Sequence, residues 1–187
     1  MLKYCRDKWD GNKDKLEEAI RKDTSLNSCD YSYLVSLVVK HILNPIVNNE
    51  EEDDFDEEEI TTIDNGDYQG TQLFMIPRNT YQPSAGDYLL TFTYYGSCSG
   101  CDTLQAIQSW CDDDKVPTEE QVKDFMTLCR DLVCNITKPF NEGWREDEKF
   151  TEIAEWFHSS KFAFNSKLIT KRRKHYEYYK KIRKKYY

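Results

Sequence analysis

Apolar positions along the chain follow two periods, one of about 3.6 residues and one of about two, and each change of period marks the border of an expected element. Leu16, Ala19 and Ile20 hold the longer period among acids and lysines. Asn12 stands where a side chain can cap a first turn, which predicts a helix over 12–22. Asp30 is placed to cap a second helix, in which Leu34, Leu37, Val38, His41 and Ile42 share a face. Proline has no N–H to donate and its ring blocks the preceding turn, so Asn44-Pro45 ends that pattern.

The shorter period takes over at EITTIDNGDYQGTQLFMI, which reads as two strands around Asn65-Gly66. That dipeptide suits a two-residue type I′ turn, because both central residues need positive φ. RNTYQPSAG reads as a loop, and DYLLTFTYY as a third strand with Tyr88, Leu90, Phe92 and Tyr94 on an apolar face and Thr91 and Thr93 on a mainly polar one.

The helical period then returns. Asp102-Thr-Leu-Gln105 has the form of a capping box before a helix that runs to about Cys111, and Thr118-Glu-Glu-Gln121 repeats it. Behind the second box, Val122, Phe125, Met126, Cys129, Leu132, Val133 and Ile136 form one stripe, which predicts a helix over 119–136. Residues 147–158 and 166–187 also favour helix. The expected fold is therefore α+β: a three-stranded antiparallel sheet, a hairpin plus a third strand, packed with N-terminal and C-terminal helices. The 187 residues suit one domain with extensions. The expected division is an α+β domain over 1–140 with an acidic linker at 48–59, then a helical extension over 141–187.

Charge sharpens that division. The net charge of -8 hides a tail, Lys167–Tyr187, with ten Lys or Arg against one Glu, and a preceding part with 16 basic against 33 acidic residues. In EEEDDFDEEE, nine of ten positions are carboxylates: Glu50, Glu51, Glu52, Asp53, Asp54, Asp56, Glu57, Glu58 and Glu59. Mutual repulsion predicts a solvated, poorly ordered run. In the tail, Tyr176, Tyr179, Ile182 and Tyr186 share a helical face, surrounded by Lys171, Arg172, Arg173, Lys174, Lys180 and Arg183. Such a helix suits phosphates and stacked bases, the acidic body of its own chain, or a partner's groove. The start, MLKYCRDKWDGNKDK, is charged throughout, and no stretch approaches the roughly 18 apolar residues of a membrane span. A soluble, cytoplasmic protein is expected, in the host cell if the chain is phage-encoded.

Seven cysteines, an odd number, with Cys111, Cys129 and Cys134 inside helical patterns, favour reduced thiols over a disulfide framework. Cys98-Ser-Gly-Cys101 lies just before a helix, where free N–H groups and the helix dipole favour a thiolate. Against a redox role stand the antiparallel context and the carboxylate of Asp102 beside the pair. A tight corner, with Gly96 and Gly100 supplying unusual φ, is the plainer reading. Zinc would need more ligands, yet His41, His158 and His175 are scattered, and Cys129 and Cys134 point about 140° apart on a helix. Adjacent strands can still gather Asp64, Asp67, Gln69, Tyr95, Cys98, Cys101 and Asp102 into one cluster able to take zinc or another divalent metal, or a nucleotide. Asp64 and Asp67 are equally good turn residues. No cofactor is the primary expectation, and no Ser-His-Asp order, phosphate-binding glycine loop or HExxH motif is present.

Asp67-Tyr-Gln-Gly-Thr71, YYGSCSGCDTLQAI and Thr118-Glu-Glu-Gln-Val122, with Trp9, Asn12 and Leu16 ahead of them, resemble a group of phage and bacterial proteins of unknown function over about residues 4–136. The resemblance implies a phage or mobile-element origin and carries no catalytic residue. Two functions are expected to compete. One is a binding or inhibitory protein that acts through charge on a host protein or nucleic acid, for example as a nucleic-acid mimic against a defence nuclease. The other is a metal-dependent enzyme acting on a nucleotide or phosphoester through the Asp/Cys cluster.

Overall fold

A computed structural model of the chain describes residues 1–44, 54–109 and 115–138. The helices expected over 147–158 and 166–187 lie outside these residues, as do Cys111, Glu50, Glu51, Glu52 and Asp53. The described part is α+β, with a three-stranded antiparallel sheet and helices on both its N-terminal and C-terminal sides.

Helix α1 spans Leu2–Ile20 and so begins well before residue 12. Asn12 is not a cap. It is buried in the helix interior and its Nδ2 donates to the Lys8 carbonyl at 2.9 Å. The stripe that carries the extension is Cys5, Trp9, Asn12, Leu16 and Ile20, at steps of three or four residues, with the first ten positions otherwise so charged that the pattern is diluted. Helix α2, Tyr31–Val38, is capped as expected, Asp30 accepting from the Tyr33 N–H at 2.9 Å. It continues into one wider turn, Val39–Leu43, closed by Asn44 N–H to the Val39 carbonyl. The buried face is broader than a single stripe and includes Tyr31, Val35, Val39 and Leu43, whereas His41 is only half-buried.

Strands β1 (Thr61–Asp64), β2 (Gly70–Pro77) and β3 (Tyr88–Tyr95) pair in sequence order. Thr61 faces Met75 and Asp64 faces Gln72, so the hairpin connection is Asn65–Gln69 and not a two-residue turn. The register therefore differs from the expected one by an odd number of residues, which exchanges the two faces of the strand. The longer loop is held by side chains: Asp64 Oδ1 accepts from Gly66 N–H at 2.9 Å, and Asn65 Oδ1 from Thr71 N–H at 2.8 Å. Gly66 is required for space. A Cβ there would lie 2.2 Å from the Gln69 carbonyl oxygen.

The helices lie on the face of the sheet that bears Phe74, Ile76, Leu89, Thr91 and Thr93. The expected polar side of β3 is thus the inner one. Thr91 and Thr93 are both buried, and the Thr91 hydroxyl donates to the Leu132 carbonyl at 2.6 Å, so its burial leaves no polar atom unmatched. Leu73, Met75 and Leu90 on the opposite face are buried as well, while Tyr94 is 48% exposed.

Helix α3 spans Thr103–Gln108 and α4 spans Glu119–Cys134. The Thr118–Gln121 box closes in both directions, and Val122, Phe125, Leu128, Cys129, Leu132 and Val133 are buried against α1, α2, α3 and β3. After α4, Thr137 and Leu90 exchange two backbone hydrogen bonds at 2.8 Å, and Asn135 donates to the Phe92 carbonyl, which partners the outer edge of β3. No described helix is long and apolar enough to cross a membrane.

Phe125 is fully buried at the centre of this packing. Phe125→Ala is expected to destabilise the fold by about 3–5 kcal/mol in denaturant titration, against a change within about 0.5 kcal/mol for the exposed control Lys123→Ala.

Candidate functional site

The corner between β3 and α3 is built on one inward-facing carboxylate. Asp102 is 4% exposed. Its Oδ2 accepts from Gly96 N–H at 2.9 Å, and its Oδ1 accepts from Gln105 N–H at 2.8 Å and from the Tyr31 hydroxyl at 3.3 Å. Tyr31 also accepts from Leu104 N–H at 3.2 Å, so the Leu104 and Gln105 N–H groups at the start of α3 are taken by Tyr31 and Asp102 and do not serve the thiols. Gln105 reaches back to the Gly96 carbonyl and leaves the expected capping box half-closed. Burial, and then the nearby Asp102 charge, push the Tyr31 phenol well above its ordinary range.

Cys98 and Cys101 sit on the solvent side of that corner. Both are exposed, and their sulfurs are 2.9 Å apart. A tight turn brings them together, the N–H groups of Cys101 and Asp102 both donating to the Cys98 carbonyl. Cys98 N–H points at Cys101 Sγ at 3.1 Å, and the Ser97 hydroxyl lies 3.8 Å from it. The Cys98 thiol, then the Ser97 hydroxyl and the backbone of Cys98 and Ser97, hold the Cys101 thiol below its ordinary pKa. Gly96 is not there for an unusual φ. A Cβ on it would lie 2.6 Å from the Cys101 carbonyl group and 2.7 Å from its sulfur, so glycine makes the notch in which Cys101 lies.

The hairpin end forms a second group. Tyr95 donates from its hydroxyl at 2.7 Å to Asp64 Oδ1 and to the Gly66 carbonyl, and Gln72 donates to Asp64 Oδ2 at 3.1 Å. The Asp64 carboxylate raises the Tyr95 phenol to about 12, with the Asp67 charge adding to it. On the other face Tyr94 donates to Gln69 Oε1 at 3.2 Å. The expected cluster thus divides: Asp64 and Tyr95 lock the loop, Gln69 pairs across it, Asp102 turns inward, and Cys98 and Cys101 stand as a thiol pair. Among the described residues, no three His, Cys, Asp or Glu side chains are arranged to hold a metal ion.

Of the acidic run, the structure describes Asp54–Glu59, and there Phe55 is only 3% exposed. Asn44 at the end of α2 clasps the Phe55 backbone in both directions, accepting from its N–H at 2.9 Å and donating to its carbonyl at 2.5 Å. Phe55 bridges to Arg78, whose guanidinium lies 4.9 Å from its ring centre, and Asp56 N–H and the Asp54 carbonyl bond to Pro77 and Asn79. Asp56 then caps the N–H groups of Glu58 and Glu59. A lone aromatic among nine carboxylates was the signal for this anchor. Of the expected partner-binding residues, Asp54, Asp56 and Glu57 are held here half-buried, and Lys171, Arg172, Arg173, Lys174, Tyr176, Tyr179, Lys180 and Arg183 lie outside the described residues.

No family model matches the chain, and no curated protein or solved structure matches it significantly.

Because Tyr95 stays protonated in the folded chain beyond its unfolded range near 10, its stabilising bond is complete below about pH 10 and is lost as pH rises towards about 12. The ultraviolet phenolate signal, taken as parent minus Tyr95→Phe, should titrate near 12, and Asp64→Asn should bring it back towards 10.

Proposed function

We propose that the chain is a phage or mobile-element binding protein that acts through charge on a host macromolecule, its acidic run standing in for nucleic acid in the basic channel of a host nuclease. The observation that carries this reading is the anchoring of Phe55. Asp54, Asp56, Glu57, Glu58 and Glu59 flank a buried aromatic that is clasped by Asn44 and bridged to Arg78, so this half of the run is displayed from a fixed base. Pre-ordering lowers the entropy lost on binding, which is the advantage a mimic has over a free acidic tail. Among the described residues, ion pairs are formed by Glu17, Glu18, Glu119, Asp7 and Asp131. The basic tail, from Lys171 to Arg183, supplies a second charged surface of opposite sign for nucleic acid or for the acidic run itself. The metal-enzyme reading has no comparable support, since Asp64 and Asp102 are both committed to holding loops in place.

The test is competition with duplex DNA for a nuclease that has a basic channel, at low and physiological salt. The parent chain should displace DNA with an affinity that falls as salt rises. Exchanging the acids of 50–59 for Asn and Gln, with Phe55 kept, should abolish competition while circular dichroism stays unchanged. Phe55→Ala keeps every charge and should weaken competition several-fold. Equal competition by the neutralised variant would overturn the proposal.

A further inference from the structure

We propose that Cys98 and Cys101 form a thiol–disulfide exchange site whose co-substrate is a low-molecular-weight disulfide, with Cys101 as the attacking thiol and Cys98 as the resolving one. The pair is set up by the backbone. A turn closed by Cys101 N–H on the Cys98 carbonyl fixes the two residues at the separation a disulfide spans, their sulfurs are 2.9 Å apart, and both are open to solvent. The assignment of roles follows from asymmetry. Cys101 Sγ receives the Cys98 N–H at 3.1 Å, has the Ser97 hydroxyl 3.8 Å away and donates its own proton to the Cys98 carbonyl at 3.2 Å, so once that proton leaves, negative charge at position 101 is met by the Cys98 N–H with the Ser97 hydroxyl nearby. Those same donors depress its pKa. Gly96 gives this sulfur its room, since a Cβ would approach it to 2.7 Å. Three of the four remaining described thiols are poorly suited to compete. Cys5, Cys29 and Cys129 are buried or half-buried, and burial raises all three, Cys29 and Cys129 to about 12. Cys134 is exposed.

The chemistry balances without a metal or a further reductant. The Cys101 thiolate attacks one sulfur of the disulfide RSSR, the S–S bond breaks, and RS⁻ leaves and takes up a proton. Cys98 then gives its proton to solvent and its sulfur attacks Cys101 Sγ in the mixed disulfide, which expels the second RS⁻. Two protein thiols lose two electrons, and one RSSR becomes two RSH. Asp102, which follows Cys101 directly, is bonded to Gly96, Gln105 and Tyr31, so the corner that holds the pair is tied into α2 whichever state the sulfurs are in.

The probe is glutathione disulfide, added to the reduced full chain at neutral pH, with each cysteine followed by peptide mapping and mass spectrometry. The parent should acquire a Cys98–Cys101 disulfide with no accumulated adduct. Cys98→Ser should stop at a mixed disulfide on Cys101, and Cys101→Ser should form its adduct on Cys98 several-fold more slowly. Both substitutions are at exposed positions, and circular dichroism checks that the fold is kept. Stable adducts on both residues of the parent in place of the internal disulfide, equal adduct rates in the two variants, or modification of Cys134 as fast as Cys101 would each overturn the proposal.

Discussion

Burial of the α4 stripe is the constraint on which the rest of the fold depends. Its six buried apolar side chains lie on a helix that packs against α1, α2, α3 and β3. Every other surface is arranged to complete that contact. Helix α1 extends its own stripe back to Cys5 to cover it, and β3 presents buried threonines, of which Thr91 donates to the Leu132 carbonyl in the last turn of α4. The segment after α4 then returns to β3 through Thr137 and Asn135. Apolar area removed from water outweighs the alternation of β3 here, because a threonine costs little to bury once its hydroxyl has an acceptor.

The two charged features most suggestive in the sequence are resolved by the cost of burying charge. Asp102 lies inside the corner, where a carboxylate is tolerable only if its oxygens are met by donors, and it has three. That commitment removes it from any role as ligand or base, and it also fixes the turn that brings two sulfurs together on the outer side. The acidic run solves the opposite problem. Among the described acids, Asp54, Asp56 and Glu57 are half-buried and Glu58 and Glu59 exposed, while a single phenyl ring is buried and the backbone around it borrows hydrogen bonds from Asn44, Pro77 and Asn79.

These arrangements place the chain's reactive chemistry and its charge in different parts of the fold. The thiol pair stands where β3 meets α3, and the anchored acids stand where α2 meets the end of β2. The proposed binding surface and the proposed exchange site therefore rest on different residues and can be altered independently.

The amino-acid sequence by itself determined the fold class, the order of strands, the Asp30 and Thr118 caps and the span of α4. Those signals are local: a cap binds N–H groups two or three residues away, and a helical stripe repeats within a few turns. It also placed Cys98 and Cys101 in one tight corner, since two residues separate them. Tertiary structure alone decided the start of α1, the hairpin register, which face of β3 is inner, the inward turn of Asp102 and the anchoring of Phe55. In each case the deciding partner is distant in the chain. Leu132 accepts from Thr91, Tyr31 reaches Asp102, and Asn44 clasps Phe55 across eleven residues. Local propensity reads Asn65-Gly66 as a two-residue turn, but the pairing of Asp64 with Gln72 sets the loop by which strand faces can be buried, and that preference exists only once the helices are in place to bury them.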